Sequence, residues 1–146
     1  MPKRHIAQII AGRPLISGHK NMTVREACCL MAEKKIGALL VLEGECIAGI
    51  FTERDALNKV LAGRLDPDAT RLEQVMVANP LTIGADKPLA YALYMMADGG
   101  FRHVPVVDAA GKPLGMVSAR DALGQDLVDL EHDMKLRDQI EGSLGY

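Results

Sequence analysis

Two segments of this sequence place a hydroxyl, a cation and a carboxylate in the same order and at the same spacing. GIFTERDAL begins at residue 49 and GMVSARDAL begins at residue 115. Each contains Gly, two apolar residues, a Thr or Ser, one variable residue and then Arg-Asp-Ala-Leu. A hydroxyl followed three residues later by a carboxylate suits two kinds of chemistry: capping of a helix, and binding of a ligand that donates hydrogen bonds.

The capping interpretation follows from the position of the hydroxyl. Thr52 and Ser118 each follow a short apolar run, so each stands where a strand passes into a helix. A hydroxyl at that position accepts a hydrogen bond from a backbone N–H of the first turn, which stabilises the helix by about 1 kcal/mol. Asp55 and Asp121 then lie in that turn, where the helix dipole favours a carboxylate. Capping is compatible with a ligand bound beside it.

The arginines of the two segments need a further explanation. Arg54 and Arg120 lie in the first helical turn, where the dipole disfavours a cation by about 0.3–1 kcal/mol. One explanation is an ion pair with Glu53 or another nearby acid. The other is an anion bound at the helix N-terminus, where free N–H groups point outward. A nucleotide would satisfy both side chains, because its ribose diol donates to a carboxylate while its phosphates face the arginine.

Both segments belong to longer repeats, which define the elements that position them. At an offset of 65 residues, IGALLVL at 36–42 aligns with FRHVPVV at 101–107, and one extra residue near Gly111 moves the offset to 66. Each repeat has apolar residues at helical spacing, then two apolar runs typical of strands, then a second helix. The lead-ins IAQIIAGRPLIS and RLEQVMVANPLT also correspond, and AGRLDPDAT at 62–70 predicts a linker. Internal duplication therefore organises the chain.

Composition and missing motifs exclude several classes of function. The 146-residue chain has a net charge of −2 and is 49% hydrophobic, so it can bury a core but lacks the basic surface that nucleic-acid binding needs. No apolar run reaches the ~18 residues of a membrane span. Three cysteines without metal-ligand spacing favour a reducing cytoplasm. Because glycine-rich phosphate loops, metalloprotease motifs and nucleophile elbows are missing, we expect no metal site, no catalytic cofactor and no enzymatic activity.

The two copies of an apolar strand, Gly-h-h-[Ser/Thr]-x-x-Asp and a helix, with RHVPVVD before the second, resemble a tandem pair of CBS domains, a family named after cystathionine β-synthase. The resemblance implies repeats at 6–64 and 71–128 and a C-terminal helical tail at 129–146. It implies an α/β (α+β) fold in which each repeat packs a small sheet against two helices, with two clefts between pseudo-twofold-related repeats. Similar small stand-alone bacterial-type proteins commonly form homodimers and bind AMP, ADP, ATP, NAD(H) or S-adenosylmethionine.

Carried over to this sequence, the family pattern implies one principal site and one weaker site. The principal site would comprise Ile16, Ile36, Arg102, His103, Met116, Ser118, Arg120 and Asp121, with the three apolar residues against the adenine. The weaker site would comprise Ile50, Thr52, Arg54, Asp55, Leu81 and Phe101. The sites are expected to be unequal, because Gly37 and Ala38 align with Arg102 and His103 and offer no charge to a phosphate.

Two functions are compatible with the sequence. The first is a non-catalytic adenosyl-ligand sensor, whose ligand favours one arrangement of repeats or subunits that an unidentified downstream protein recognises. The second is a structural dimerisation or protein-interaction module with degenerate ligand sites. In the first case a phosphate contact would make affinity depend on the charge of His103, although a neutral His103 bonded to backbone fits the sequence equally well.

Overall fold

The computed structural model describes residues 4–143, without the side chains of 125–129, 131 and 143. The chain forms a mixed α/β structure with two small sheets. The helices are α1 (Ile6–Ile10), α2 (Val24–Lys34), α3 (Glu53–Asp55, continued by a π-helical segment at Ala56–Leu61), α4 (Leu72–Val75), α5 (Leu89–Gly99) and α6 (Gly124–Ser143), and a 3₁₀ turn spans Ala119–Ala122. The strands are β1 (Ser17–His19), β2 (Ala38–Glu43), β3 (Cys46–Thr52), β4 (Val77–Ala78), β5 (Ile83–Gly84), β6 (His103–Val107) and β7 (Pro113–Ser118).

The first sheet has the strand order β1-β2-β3-β4. β1 runs parallel to β2, whereas the β2–β3 and β3–β4 pairs are antiparallel. Residues 39–41 of β2 are fully buried, as expected for a continuous apolar run covered on both faces. α2 begins at a capping box, in which the Thr23 hydroxyl accepts from the Glu26 N–H and the Glu26 carboxylate accepts from the Thr23 N–H. Its buried face, formed by Val24, Ala27 and Met31, packs into the core of this sheet.

The second sheet repeats this pattern with the order β5-β6-β7. β5 is parallel to β6, and β6 is antiparallel to β7. The registers of the two sheets correspond, because Ala38 pairs with Thr52 in the first and His103 pairs with Ser118 in the second. The first residue of β2, and likewise that of β6, therefore lies beside the hydroxyl residue that ends the following strand, β3 or β7.

The lead-in of each repeat packs against the other repeat. α1 precedes the first sheet, yet the fully buried Ile6 belongs to the core of the second sheet. The backbone ties α1 to the same place, because the N–H of Ile6 donates to Lys87 O at 3.0 Å. Conversely, Leu72 and Val75 of α4 lie in the core of the first sheet, and β4 pairs with β3. The two repeats are thus interlocked through exchanged lead-ins.

The C-terminal helix α6 begins at Gly124, and residues 144–146 of the expected tail lie outside the described residues. Leu130, Met134 and Ile140 are each more than half exposed, so the described chain covers less than half of each of these apolar residues. No helix among residues 4–143 is both long enough and apolar enough to cross a bilayer.

Candidate functional site

The two repeated segments form corresponding corners, where a strand passes into a helix in the first repeat and into a 3₁₀ turn in the second. At the first corner the Asp55 N–H donates to the Thr52 hydroxyl at 3.2 Å, and the Thr52 N–H donates to Asp55 Oδ2 at 3.0 Å. At the second corner the Ser118 N–H donates to Asp121 Oδ2 at 2.8 Å. The capping interpretation is confirmed at the first corner, where both halves of the capping box form.

Each corner is also tied to the entry of the central strand in its own sheet. The Glu53 N–H donates to Gly37 O at 3.0 Å, and the Ala119 N–H donates to Arg102 O at 2.9 Å. The pseudo-twofold relation therefore extends to single backbone hydrogen bonds. A Cβ on Gly37 would lie 3.1 Å from the carboxylate Oε1 of Glu53, a tight contact that a small shift of the Glu53 side chain would relieve.

A cavity of about 850 Å³ lies beside the second corner, and we call it the Asp121 cavity. It brings together the whole set expected for the principal site: Ile16, Ile36, Arg102, His103, Met116, Ser118, Arg120 and Asp121. It is also lined by Arg13, Lys35 and Glu53, which the sequence did not single out for this site. Its volume lies within the range of small-molecule sites, about 300–1,000 Å³.

A second cavity of about 780 Å³ lies beside the first corner, and we call it the Asp55 cavity. It brings together the set expected for the weaker site: Ile50, Thr52, Arg54, Asp55, Leu81 and Phe101. Its remaining lining includes Val77, Asn79 and Pro80, which belong to or follow β4. Because β4 is part of the exchanged lead-in, this cavity is assembled from both repeats.

Glu53, Arg102 and His103 line both cavities and form the wall between them. The family resemblance implied the Arg-His pair for the principal site only, and Gly37 and Ala38, which align with the pair, offered no charge to the weaker site. In the structure Gly37 and Ala38 line the Asp121 cavity instead, while Arg102 and His103 face both spaces. A shared wall could not be inferred from the alignment of the repeats, which compares positions but does not show which space a strand end borders.

The two cavities differ in charge. Among the described lining residues, each cavity has two carboxylates, Glu53 with Asp121 or Glu53 with Asp55. The Asp121 cavity is lined by the cations Arg13, Lys35, Arg102 and Arg120, and the Asp55 cavity by Arg54 and Arg102. The Asp121 cavity therefore has the more positive lining and the stronger attraction for an anion.

Asp121 is held by a cation from the first lead-in. Arg13 Nη2 lies 2.7 Å from Asp121 Oδ1, and Arg13 Nη1 lies 3.2 Å from Asp121 Oδ2, so the contact is bidentate. Burial alone would raise the pKa of Asp121. The hydrogen bonds from Arg13 and from the Ser118 N–H, with the charges of Arg13 and Arg4, outweigh burial and hold this pKa below its usual value. Asp121 is therefore ionised at neutral pH and acts only as an acceptor.

Asp55 is engaged within its own helix. Lys59 Nζ lies 3.2 Å from Asp55 Oδ1 and also donates to Val75 O at 2.8 Å. The cation before it, Arg54, donates to Gly100 O at the C-terminal end of α5, at 3.4 Å. The end of a helix attracts a cation, so Gly100 provides a structural reason for Arg54 that sequence reasoning did not consider.

The surroundings of His103 favour the neutral form of its imidazole. Burial lowers its pKa below the usual value, with a smaller contribution from Arg102 in the same direction, and the nearby carboxylates of Glu53 and Asp121 only partly oppose this. A neutral imidazole can donate one hydrogen bond and accept another. His103 therefore contributes hydrogen bonding, rather than a full positive charge, to the wall between the cavities.

Among the side chains that the structure describes, those of residues 4–142 without 125–129 and 131, no three of His, Cys, Asp or Glu gather closely enough to hold a metal ion. The geometry instead defines a class of protein: a duplicated α/β chain with exchanged lead-ins and two clefts whose corners each supply a hydroxyl, a cation and a carboxylate. This chain belongs to the CBS domain family, whose model matches residues 6–62 and 72–127.

Relatives and solved structures agree with this assignment. The chain is 32% identical over 130 residues to protein MK0525 of Methanopyrus kandleri and spans 66% of that protein. It spans only 21% of CBSCBSPB5 of Arabidopsis thaliana, at 32% identity over 77% of this chain. A protein with CBS domains from Burkholderia ambifaria MC40-6 superposes with a TM-score of 0.79 at 37% identity, over 86% of this chain and 96% of that chain.

Two further solved structures contain ligands. The CBS domain protein PAE2072 from Pyrobaculum aerophilum is complexed with AMP, and matches at a TM-score of 0.77 and 26% identity over 88% of this chain and 97% of that chain. The CBS domain pair of protein MJ0100 is in complex with 5′-methylthioadenosine and S-adenosyl-L-methionine, and matches at 0.73 and 25% over 82% of this chain and 96% of that chain.

Proposed function

We propose that this protein is a non-catalytic sensor of an adenosyl ligand, which binds in the Asp121 cavity. The observation that carries the proposal is the convergence of an ionised carboxylate, a strand-to-helix corner, a cationic lining and an apolar wall in one cleft of nucleotide size. The AMP-bound relative PAE2072 and the adenosyl-bound pair of MJ0100 support the same ligand class. Because a sensor needs only differential binding, no nucleophile or metal is required.

Each part of an adenosyl ligand has a matching part of the cavity. Asp121 is the acceptor for the ribose diol, since an ionised carboxylate accepts and does not donate. Arg102 and Arg120 are the cations for phosphates. The adenine lies against the apolar residues of the lining, Ile16, Ile36 and Met116. S-adenosylmethionine would make the same ribose and adenine contacts. It has a methionine with a positively charged sulfonium in place of phosphates, so the charge that it would bring toward Arg102 and Arg120 differs.

A ligand in this position would bridge the two repeats. Ile16 and Ile36 belong to the first repeat, whereas Ser118 and Asp121 belong to the second. Binding would therefore favour the arrangement of repeats in which both halves contact the ligand, by differential affinity for the two states. In a homodimer the same change would alter the relative placement of the subunits, which a downstream protein could recognise.

The alternative function is a dimerisation or interaction module with degenerate ligand sites, and one observation favours it for the Asp55 cavity. Its lining has two cations, Arg54 and Arg102, whereas the lining of the Asp121 cavity has four, so the Asp55 cavity attracts an anionic ligand less strongly. We therefore expect the Asp121 cavity to bind the ligand more tightly.

The test is calorimetric titration of AMP, ADP, ATP, NADH and S-adenosylmethionine into the wild-type protein and two variants. Asp121→Asn keeps the size of the side chain but removes its charge, and Asp68→Asn is the matched control, since Asp68 pairs with Arg25 and neither residue lines either cavity. At least one ligand should bind the wild type and the control equally. The Asp121→Asn variant should bind it at least tenfold more weakly, the loss expected for a charged hydrogen bond of about 1.5–3 kcal/mol.

Binding of no ligand to folded wild-type protein would leave the interaction module as the function. Equal binding to the Asp121→Asn variant and the control would remove the Asp121 cavity from the proposal. Formation of a new product from ATP and Mg²⁺, in proportion to protein concentration and absent in the Asp121→Asn variant, would contradict the non-catalytic assignment.

A further inference from the structure

The Arg13–Asp121 ion pair occupies the acceptor that a ribose would use. We propose that Arg13 is a specificity-determining residue of the Asp121 cavity: a ribose displaces it from Asp121, and the displaced guanidinium then favours ligands that carry a phosphate over uncharged nucleosides. The proposal rests on the proposed function, because it requires an adenosyl ligand in this cavity.

The acceptor capacity of Asp121 is the first step. An ionised carboxylate has about four lone-pair positions. Arg13 uses one on Oδ1 at 2.7 Å and one on Oδ2 at 3.2 Å, and the Ser118 N–H uses another on Oδ2 at 2.8 Å. A diol needs two lone-pair positions on Asp121, but only one remains. Because the Ser118 contact is part of the corner itself, a diol that engages Asp121 through both hydroxyls must displace Arg13.

The difference in exposure between the partners is the second step. The Arg13 side chain is 48% exposed, whereas the Asp121 side chain is 11% exposed. Arg13 lies between α1 and β1, outside any helix or strand, and its N–H is held by Ile10 O at 3.0 Å. The guanidinium can therefore leave Asp121 by a rotamer change on the solvent side, while the backbone stays in place.

The chemistry of the displaced guanidinium is the third step. Its planar fork matches a phosphate as well as a carboxylate, and both contacts can be bidentate. A phosphorylated ligand would give Arg13 a new anionic partner in the same cavity, so the ion pair is exchanged. An uncharged nucleoside engages the carboxylate without giving Arg13 another anion. Arg13 therefore opposes the binding of a nucleoside but not that of a nucleotide.

The Asp55 cavity lacks this arrangement in the described part of the chain. The cation on Asp55 is Lys59, which lies outside the lining of that cavity and is anchored to Val75 O. An ammonium four residues along the same helix stabilises the corner but does not line the space that a ligand would occupy. We expect discrimination by exchange of an ion pair only in the Asp121 cavity.

The test compares adenosine with AMP by calorimetric titration of the wild type, Arg13→Gln and the control Arg25→Gln. Arg25 is a matched control because it also forms an exposed ion pair with an aspartate, Asp68, and neither residue lines either cavity. Arg13→Gln should tighten adenosine binding about two- to fivefold, the range of an exposed pair, and change AMP binding less than about twofold, because the wild type exchanges one ion pair for another. The ratio of the AMP affinity to the adenosine affinity thus falls about two- to fivefold, whereas Arg25→Gln leaves it unchanged.

Arg13→Lys keeps the charge but loses the fork, so its ratio should lie between those of the wild type and Arg13→Gln. Circular dichroism and thermal melting establish that each variant is folded. An Arg13→Gln variant that binds AMP and adenosine with the wild-type ratio would overturn the role of Arg13 and leave the proposed function standing. Failure of both ligands to bind the wild type would overturn the proposed function and this inference together.

Discussion

The glycines that open the two repeated segments have different surroundings, which predicts opposite effects for the same substitution. A Cβ on Gly49 would lie 2.6 Å from Met76 Sδ and 2.8 Å from the backbone O of Val77. A Cβ on Gly115 would lie 3.4–3.6 Å from the side chain of Ile10, which is ordinary van der Waals contact. The Met76 side chain can rotate, but the Val77 carbonyl belongs to β4 and must shift with its strand.

The magnitude follows from this contrast. Gly49→Ala forces β4 away from β3, an overpacking effect that typically costs about 1–3 kcal/mol. For a chain of this length each kcal/mol lowers the melting temperature by about 2–4 °C, so we expect a decrease of roughly 2–12 °C. Gly115→Ala should lie within about 0.5 kcal/mol of wild type or stabilise slightly, because alanine restricts the unfolded chain.

The assay is urea denaturation and thermal melting of both variants beside the wild type, without ligand. Because Gly49 and Gly115 occupy equivalent positions in the two repeats, each alanine variant serves as the control for the effect of alanine on strand propensity in the other. Equal destabilisation of the two variants, or greater destabilisation by Gly115→Ala, would refute the reasoning. Because Val77 also lines the Asp55 cavity, Gly49→Ala should disturb that cavity and leave the Asp121 cavity intact.

Three further predictions concern the core and pH. Ile6→Ala should lower the free energy of unfolding by about 2–5 kcal/mol in urea denaturation, because Ile6 is fully buried in the core of the second sheet; a loss below about 1 kcal/mol would contradict that placement. The pKa of Asp121 is lower in the folded chain than in the unfolded chain, so the ionised carboxylate stabilises the fold fully above about pH 5. This stabilisation is lost as the pH falls below the usual aspartate value of about 3.9. The Asp121→Asn variant should therefore lose less stability than the wild type between pH 7 and pH 3, measured at about 25 °C. Burial lowers the pKa of His103, so its imidazole binds a proton more readily in the unfolded chain, and stability declines as the pH falls below about 6.5. The His103→Gln variant should show a smaller decline. An unchanged decline would count against a buried neutral imidazole.

Much of the candidate site could be anticipated from sequence because the chemistry is local. The hydroxyl and carboxylate of each corner are three residues apart, so their spacing alone predicts a cap, and Thr52 with Asp55 forms one. The apolar runs around Leu40 and Val106 predict the central strands for the same reason. Residues implied by family resemblance also converge, since each expected set lies around one cavity.

What sequence could not provide was the partner of each side chain across the fold. Arg13 and Asp121 are separated by 108 positions, and neither charge identifies the other. Arg54 was expected to need an acid or a bound anion, yet it donates to the Gly100 carbonyl, which has no signal in the side-chain pattern. The lead-ins are apolar in both repeats, so either sheet could have accepted either lead-in, and only packing decides that they are exchanged.

The exchange of lead-ins makes each half of the chain incomplete without the other. The core of the second sheet lacks Ile6 if the chain is cut in the segment 62–70, and the core of the first sheet lacks Leu72 and Val75. Unfolding is then expected to be a single cooperative transition rather than two, because neither half retains a closed core after the other has melted. Two fragments made separately should likewise complement each other, each completing the other's core as they associate.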